Sequence, residues 1–543
     1  MTIHNRILLS LVIAAVVQLS ALPAMGQAVW PAFLGQGKTQ ETHVDALPLT
    51  WSPSKNVRWK TTIPGKGQSS PVVWGDTAYV TSIAGNMKET CIVTAISITT
   101  GQQEWSREFE SAMPTRSNYF QSRSAPTPVV DDNHVVAFFE TGSLVGINRK
   151  TGNTAWQRSL TTDYGAFEST IGLATSPVQL HDRVFLMIDH EGESYLLAVD
   201  KLSGETIWRT ERFSRKSYAS PSIIDINGSP QIVCSSDGSV DGYDPKTGKQ
   251  LWTFEELGAN SSNTPLLASK DSVLIGASPG MRDVNMADAR ESNLCLRIVA
   301  QDDGFKPQVQ WKSEKAVTTF ASPMAHIGYA YWVTNAGVVF CYEVESGELM
   351  YRKRAGEQCW VTPIGVGDRV YLFGKGGQTT VLAAGPDFRV LAENELWDLD
   401  SIPATDPGQF SGRGGRPPAS DAAAKNRGAS LTAASPDAQP EAAGPDDAES
   451  ENARPDVADS DAEPSQRPGR PASATAGKPS VTEGNPADVA KAKPMDGKEI
   501  EAARTRGENR FADPVQYGVA LTADAILIRT GSQLHCISKG GTK

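Results

Sequence analysis

The stretch Gly242-Tyr243-Asp244-Pro245-Lys246-Thr247-Gly248-Lys249-Gln250-Leu251-Trp252 decides the fold. Its skeleton is a Gly, three residues, then a large aromatic. The same skeleton recurs as Gly101 with Trp105, Gly152 with Trp156, Gly204 with Trp208 and Gly347 with Tyr351. Trp105, Trp156, Trp208 and Trp252 follow one another at 51, 52 and 44 residues. A period of that size marks a repeat architecture. Each period opens on a small polar residue and Pro before an apolar, often β-branched run. The openings are Ser70-Pro71, Thr127-Pro128, Ser176-Pro177, Ser220-Pro221, Thr264-Pro265, Ser322-Pro323 and Thr362-Pro363. Pro suits the first residue of a strand, where its missing N–H is tolerated. A turn, a second apolar run, a Gly-bearing turn and a third run follow, and the Gly-to-Trp phrase leads into a fourth. Four short strands joined by tight turns at this spacing predict a β-propeller blade.

Seven openings precede residue 364, and an eighth unit begins at Gly518-Val519-Ala520-Leu521. That last unit runs through Gln533-Leu534-His535-Cys536-Ile537 and ends without a fourth strand. Val57-Arg58-Trp59-Lys60 is a fourth strand without its first three. Joining the two halves closes a ring and removes two exposed sheet edges. The expectation is an all-β, eight-bladed propeller of four-stranded antiparallel blades, closed by its N-terminal strand. The seventh unit lacks the Trp, and the fifth carries an insertion over 281–291 with Trp311 displaced from its Gly. Trp59, Trp105, Trp156, Trp208, Trp252, Trp311 and Tyr351 are expected to dock blade on blade.

Residues 403–510 are dominated by Pro, Ala, Asp, Glu, Ser and Gly, with few aromatic or aliphatic side chains. Such a segment buries too little apolar surface to offset its ordering entropy, so a disordered insertion before the last blade is expected. At the start, His4 and Arg6 precede an apolar run over 7–17 and then Ala21, Ala24, Gly26 and Ala28. That order is read as a cleavable signal peptide over 1–28, the run being short against the roughly 20 residues of a membrane span. Residues 29–402 then hold the first seven blades with the closing strand, and 511–543 the last blade. The chain is read as exported, to the periplasm or cell envelope, with no membrane span after cleavage.

The formal net charge is −11, and Lys and Arg are not clustered, so nucleic acid is not an expected partner. Cys91, Cys234, Cys295, Cys341, Cys359 and Cys536 show no Cys-x-x-Cys and no adjacent pair. Several sit in apolar strand runs and read as small buried thiols. The His residues are scattered without metal-ligand spacing. Gly374-Lys375-Gly376-Gly377-Gln378-Thr379 departs from phosphate-loop spacing and reads as a tight hairpin.

The phrase Ala/Gly-x-Asp-x-x-Thr-Gly-x-x-x-Trp resembles the PQQ-like repeat of the quinoprotein dehydrogenases, over roughly residues 50–400 and 511–538. The resemblance implies an eight-bladed ring. It leaves two kinds of protein open: PQQ- and calcium-dependent alcohol or sugar dehydrogenases, and a non-catalytic group similar to the outer-membrane assembly factor BamB. The dehydrogenases' adjacent Cys pair and Cys-x-x-Cys-His are absent here. Glu168 and Asn263 lie before strand openings, where calcium ligands would sit, and Asp303 lies elsewhere. No catalytic, cofactor-binding or metal residue is assigned, and no cofactor is expected on the scaffold reading.

Loops leading into the first strands should gather round the axis on one face, and binding residues concentrate on such loops. Those loops carry Arg116, Tyr119, Arg123, Glu168, Tyr218, Asn263, Phe320, Gln358 and Trp360. Arg and aromatic side chains dominate protein interfaces. The sequence therefore favours a monomeric binding or assembly scaffold with an envelope protein or peptide partner. A dehydrogenase and an extracellular polysaccharide-binding protein, with a glycan as its ligand, are the alternatives.

Overall fold

The computed structural model describes residues 28–36, 43–115, 122–169, 172–280, 285–302, 304–313, 315–398 and 516–541. The expected signal peptide, apart from Ala28, and the insertion over 403–510 lie outside them, as do Arg116, Tyr119 and Asp303.

The recurring phrase is a hairpin turn held by its own side chains. Asp244 Oδ1 accepts from the backbone N–H of Lys246 (2.7 Å) and Thr247 (2.9 Å), and Gly248 N–H donates to the Asp244 carbonyl (2.8 Å). Asn148 and Asp200 play the same part in two other copies. Gly248 sits at φ +73°, a left-handed conformation that costs a side-chain-bearing residue.

These turns build eight antiparallel sheets among the described residues, seven of four strands and one of five. Blades 1 to 7 open with Val72–Trp74, Val129–Val130, Val178–Leu180, Ser222–Ile226, Leu266–Ser269, Met324–His326 and Ile364–Val366. Blade 8 joins Gly518–Leu521, Ala525–Arg529 and Gln533–Ser538 to Val57–Thr62. Middle strands such as Arg183–Ile188 and Ser194–Asp200 are buried on both faces, because a blade is covered by a neighbour on each side. The outer strand Gln103–Glu110 alternates between buried and exposed positions.

The third and fourth strands of every blade slip register at one point, next to the aromatic position. Such a bulge re-aims a side chain. Across from each aromatic stands a small residue: Ala95 for Trp105, Gly146 for Trp156, Ala198 for Trp208 and Gly242 for Trp252. Cys295, Cys341 and Cys536 fill the same slot opposite Trp311, Tyr351 and Trp59. A Cβ at Gly242 would stand 2.1 Å from Trp252 Nε1, so in this blade the slot admits glycine alone. All six cysteines are free and buried, and burial pushes each thiol up to about 12.

Five of the re-aimed Trp side chains meet the glycine of the next blade. Trp59, Trp105, Trp156, Trp208 and Trp311 donate Nε1–H to Ile98, Arg149, Lys201, Pro245 and Val344 carbonyls, at 2.6 to 3.3 Å. A Cβ added to Gly101, Gly152, Gly204, Gly248 or Gly347 would fall 2.4 to 2.8 Å from the preceding blade's indole. Trp252 instead donates to Gln231 Oε1 of its own blade (2.7 Å). The facing hairpin of blade 5 lacks the turn phrase. Tyr351 packs edge-on against Phe388 of blade 7, with centroids 5.4 Å apart.

On the axis side, the Ser or Thr before each Pro carries a second set of links. Its backbone N–H donates to the hydroxyl of its counterpart in the next blade, from Ser70 through Thr127, Ser176, Ser220, Thr264 and Ser322 to Thr362, at 2.9 to 3.1 Å. Thr264→Val strips the acceptor from the buried Ser220 N–H. It is expected to cost about 1–2 kcal/mol, the penalty of an unsatisfied buried donor. Urea unfolding checks this, and an unchanged midpoint would show that the hydroxyl chain adds no net stability.

The ring closes as the two chain halves complete each other: Val57 pairs with Ile537, Trp59 with Cys536 and Thr62 with Gln533. Arg58 also reaches Asp524 of the same blade at 2.5 Å.

One strand is additional to the expected count. Val29–Trp30 pairs with Val73 and Trp74 on the axis edge of blade 1. The segment then crosses neighbouring blades. Pro31 O accepts from Val130 N–H (2.8 Å) and Gln179 Nε2 (3.2 Å), and Gln36 donates to Gln179 O (2.6 Å). Beyond residue 42 it reaches blade 7, where Arg369 donates to Val44 O (3.3 Å) and Trp51 N–H to Asn394 Oδ1 (2.7 Å). No helix among the described residues is long and apolar enough to cross a membrane.

Candidate functional site

The loops before the innermost strands of blades 6, 7 and 8 bring three aromatic rings into a row. Phe320 meets Trp360 edge-on at 5.1 Å between centroids with planes 66° apart. Trp360 meets Tyr517 at 6.0 Å with planes 45° apart. Phe320 is 39 % exposed, and Trp360 and Tyr517 are half-buried. Two cations lie against this stretch of rim, one at the middle ring and one at Tyr517. Lys375 Nζ lies 4.3 Å from the Trp360 ring centroid, within the range of a cation–π contact. Arg123 Nη2 donates to Tyr517 Oη at 3.1 Å.

Backbone contacts fix this row. The hairpin between Arg369–Phe373 and Gln378–Ala383 carries Lys375, whose N–H donates to Gln358 O (2.6 Å) and whose carbonyl accepts from Gln516 N–H (3.2 Å). Glu357 Oε1 accepts from Gln378 N–H at 2.9 Å inside that hairpin. Burial raises the Glu357 pKa, against the opposing pull of the Gln378 and Gly376 N–H groups and of Lys375. Arg123 exchanges hydrogen bonds with Gln68, its N–H to Oε1 and its carbonyl from Gln68 N–H. Asn263 supports the far end, donating Nδ2–H to Ala321 O at 3.0 Å.

Of the sequence-named positions, Asn263, Phe320, Gln358, Trp360 and Arg123 thus share one connected rim. Tyr218 and Glu168 have other partners. Tyr218 N–H donates to Ser261 O (2.6 Å), and burial raises its phenol pKa. Exposed Glu168 donates its N–H to His190 Nδ1 (3.2 Å), an imidazole that burial holds below its usual pKa. Tyr517 and Lys375 are additions that sequence reasoning missed. Tyr218, Phe320 and Trp360 each stand two residues before a Ser/Thr-Pro opening, a signal available in the sequence. Tyr517 carries no such flag, because blade 8 opens on Gly518, where a Cβ would lie 2.3 Å from Ser70 Oγ.

The opposite face holds an open cavity of about 400 Å³ between blades 3 and 4, lined by Leu180, Arg183 and Pro245 among others. None of the sequence-named residues lies in it. Of the residues sought as calcium ligands, Asn263 donates Nδ2–H to Ala321 O while its buried Oδ1 meets no hydrogen-bond donor, and Glu168 stands exposed beside His190. Among the described residues, no group of three or more His, Cys, Asp or Glu side chains could hold a metal ion.

A family model described as "Outer membrane protein assembly factor BamB" matches residues 47–222, 184–296 and 236–400. The chain belongs to that family. This BamB-family propeller is 27% identical over 260 residues to the outer membrane protein assembly factor BamB of Burkholderia pseudomallei (strain K96243), covering 46% of this chain and 63% of the relative. It is 22% identical over 340 residues to a polyvinylalcohol dehydrogenase of Pseudomonas sp, covering 56% of this chain and 47% of that one. The chain therefore spans less than two thirds of either relative. Among solved structures, BamB from Moraxella catarrhalis is 14% identical with a TM-score of 0.44, covering 63% of this chain and 91% of that one. Quinohemoprotein alcohol dehydrogenase from Comamonas testosteroni is 11% identical with a TM-score of 0.44, covering 68% and 73%.

Proposed function

We propose that this chain is an exported, non-catalytic scaffold of the cell envelope that holds a polypeptide partner at the rim built from blades 6, 7 and 8. Membership of the BamB family supports an assembly role, and its relatives' description as outer membrane protein assembly factors supports an envelope setting. The apolar run over 7–17 after Arg6 supports export. The observation that carries the reading is the row Phe320–Trp360–Tyr517. Its rings are tilted by 66° and 45° to one another, so the row presents ring edges as well as faces and is no flat stacking platform for a sugar. Partly exposed Trp and Tyr bring large contact area at small entropic cost, which favours them at interfaces.

Trp360→Ala is expected to lower recovery of the partner from envelope extracts at least tenfold, with the thermal unfolding transition still cooperative. Affinity capture with mass spectrometry measures it. Equal recovery by the variant, or no envelope protein retained by the unaltered chain, would overturn the reading.

The polyvinylalcohol dehydrogenase relative keeps a second reading in view, a PQQ- and calcium-dependent dehydrogenase. PQQ absorbance retained on the protein with calcium, together with alcohol-dependent dye reduction, would favour it.

A further inference from the structure

At three seams of the ring, the residue just before the first turn of a blade reaches across to the next blade. In blade 1 it is Trp74, opposite Thr77, whose Nε1–H donates to Asp132 Oδ1 of blade 2 at 2.8 Å. In blade 2 it is Asp131, opposite His134, paired with Lys201 Nζ of blade 3 at 3.1 Å. In blade 6 it is His326, opposite Tyr329, whose Nε2 bonds Gly367 O of blade 7 at 2.7 Å. Leu180, opposite Arg183, holds this position in blade 3 and has no polar atom to reach with. Across its seam stands Pro245, the counterpart of Lys201. Each follows the Asp that holds its turn, and each accepts the indole N–H of the preceding blade, from Trp156 to Lys201 O and from Trp208 to Pro245 O. The ion pair of the previous seam is thus exchanged for Leu and Pro, and the cavity of about 400 Å³ opens there. That size suits a small organic ligand.

We propose that this cavity is a second binding site, for a small amphipathic acid with one apolar body and one carboxylate. Leu180, Pro230 and Pro245 give it apolar walls. The acids of its lip are engaged: Asp182 lies 3.7 Å from Arg183 Nε, and Asp244 Oδ1 accepts from the Lys246 and Thr247 N–H groups. Arg183 also braces the lip, donating Nη1–H to Pro245 O (3.2 Å) and Lys246 O (2.7 Å). His181 and Lys246 stand exposed at the same lip, and among the described residues neither side chain has a hydrogen-bond or ion-pair partner. Free donors beside an apolar hollow complement a carboxylate on an apolar body, the few polar groups fixing the orientation of the ligand.

The test titrates the full chain in a calorimeter with phenylbutyrate, phenylbutanol and phenylbutylamine, which share one body and differ in head group. Phenylbutyrate is expected to bind tightest, about fivefold ahead of the alcohol, the upper end for an exposed ion pair, with the amine weakest. Lys246→Gln should bring the acid level with the alcohol. Leu180→Trp places in blade 3 the side chain that Trp74 supplies in blade 1, and it should abolish binding of all three. Should Leu180→Trp fail to fold, Lys246→Gln, at an exposed position, still decides. No saturable binding of phenylbutyrate at millimolar concentration, equal affinity for acid and amine, or acid binding unchanged in Lys246→Gln or in a folded Leu180→Trp would overturn the proposal. The cavity lies on the face opposite the rim, so Trp360→Ala should leave phenylbutyrate binding intact, and the result does not depend on the scaffold reading.

Discussion

Arg212→Ala is expected to destabilise the propeller by about 3–5 kcal/mol, the cost of breaking a buried ion pair and leaving its acid uncompensated. Arg212 and Asp189 are both fully buried, joined by paired contacts at 2.9 and 3.0 Å. The same guanidinium reaches across to blade 4, to Asp241 at 3.2 Å and to Tyr243 Oη at 2.5 Å. Ser236 Oγ bonds Asp189 as well. Burial opposes the Arg212 charge, but Asp189 and the surrounding acceptors prevail and push its pKa well up. Removing the cation leaves Asp189 with only neutral donors, while Asp241 keeps Arg215 at 3.2 Å. Denaturant unfolding measures the loss. A double replacement, Asp189→Leu with Arg212→Met, should recover most of it, because a matched apolar pair avoids the desolvation penalty. A single-variant loss below about 1 kcal/mol would mean that the network gives no net hold between blades 3 and 4.

The second large effect concerns ring closure. Trp59→Ala is expected to cost about 3–5 kcal/mol, as for other buried Trp truncations. Trp59 is 8 % exposed and donates to Ile98 O at 2.6 Å, with the glycine of blade 1 against its ring. It belongs to the one blade assembled from both ends of the ring sequence, so its loss should also expose two sheet edges. Limited proteolysis should then cut near both chain halves, around residues 57–62 and 533–538, before the middle blades yield. Trp105→Ala removes an equivalent contact from a blade made of consecutive strands and serves as the comparison. Should Trp59→Ala cost clearly less than Trp105→Ala, closure by the two ends is not what holds the ring.

The blade count and the closure were legible because their signals are local and repeated. Ser/Thr-Pro openings mark the innermost strands of seven blades, and the unmatched strand at Val57 points to the incomplete unit ending at Ile537. Val29–Trp30 escaped because a two-residue strand has no period to read. The turn phrase shows that Gly and Trp recur together, but not that the contacting pair comes from different blades. Nor does it show that Trp252, with no glycine turn facing it, bonds inside its own blade. The rim was legible in part. Phe320 and Trp360 sit in loops that any propeller gathers at its axis, whereas Lys375 is carried there by a hairpin between the second and third strands of blade 7. That placement depends on how far a hairpin leans over the rim, which periodicity does not encode.

A photo-crosslinking residue placed at position 320, compared with one at position 202, tests the central claim most directly. Phe320 is 39 % exposed on the rim, and Leu202 is 68 % exposed in a turn on the opposite face. The account expects an envelope polypeptide to crosslink at 320, to be lost with Trp360→Ala, and to be absent at 202. Crosslinking at 202 alone, or equally at both positions, would contradict a partner held at the rim of blades 6 to 8.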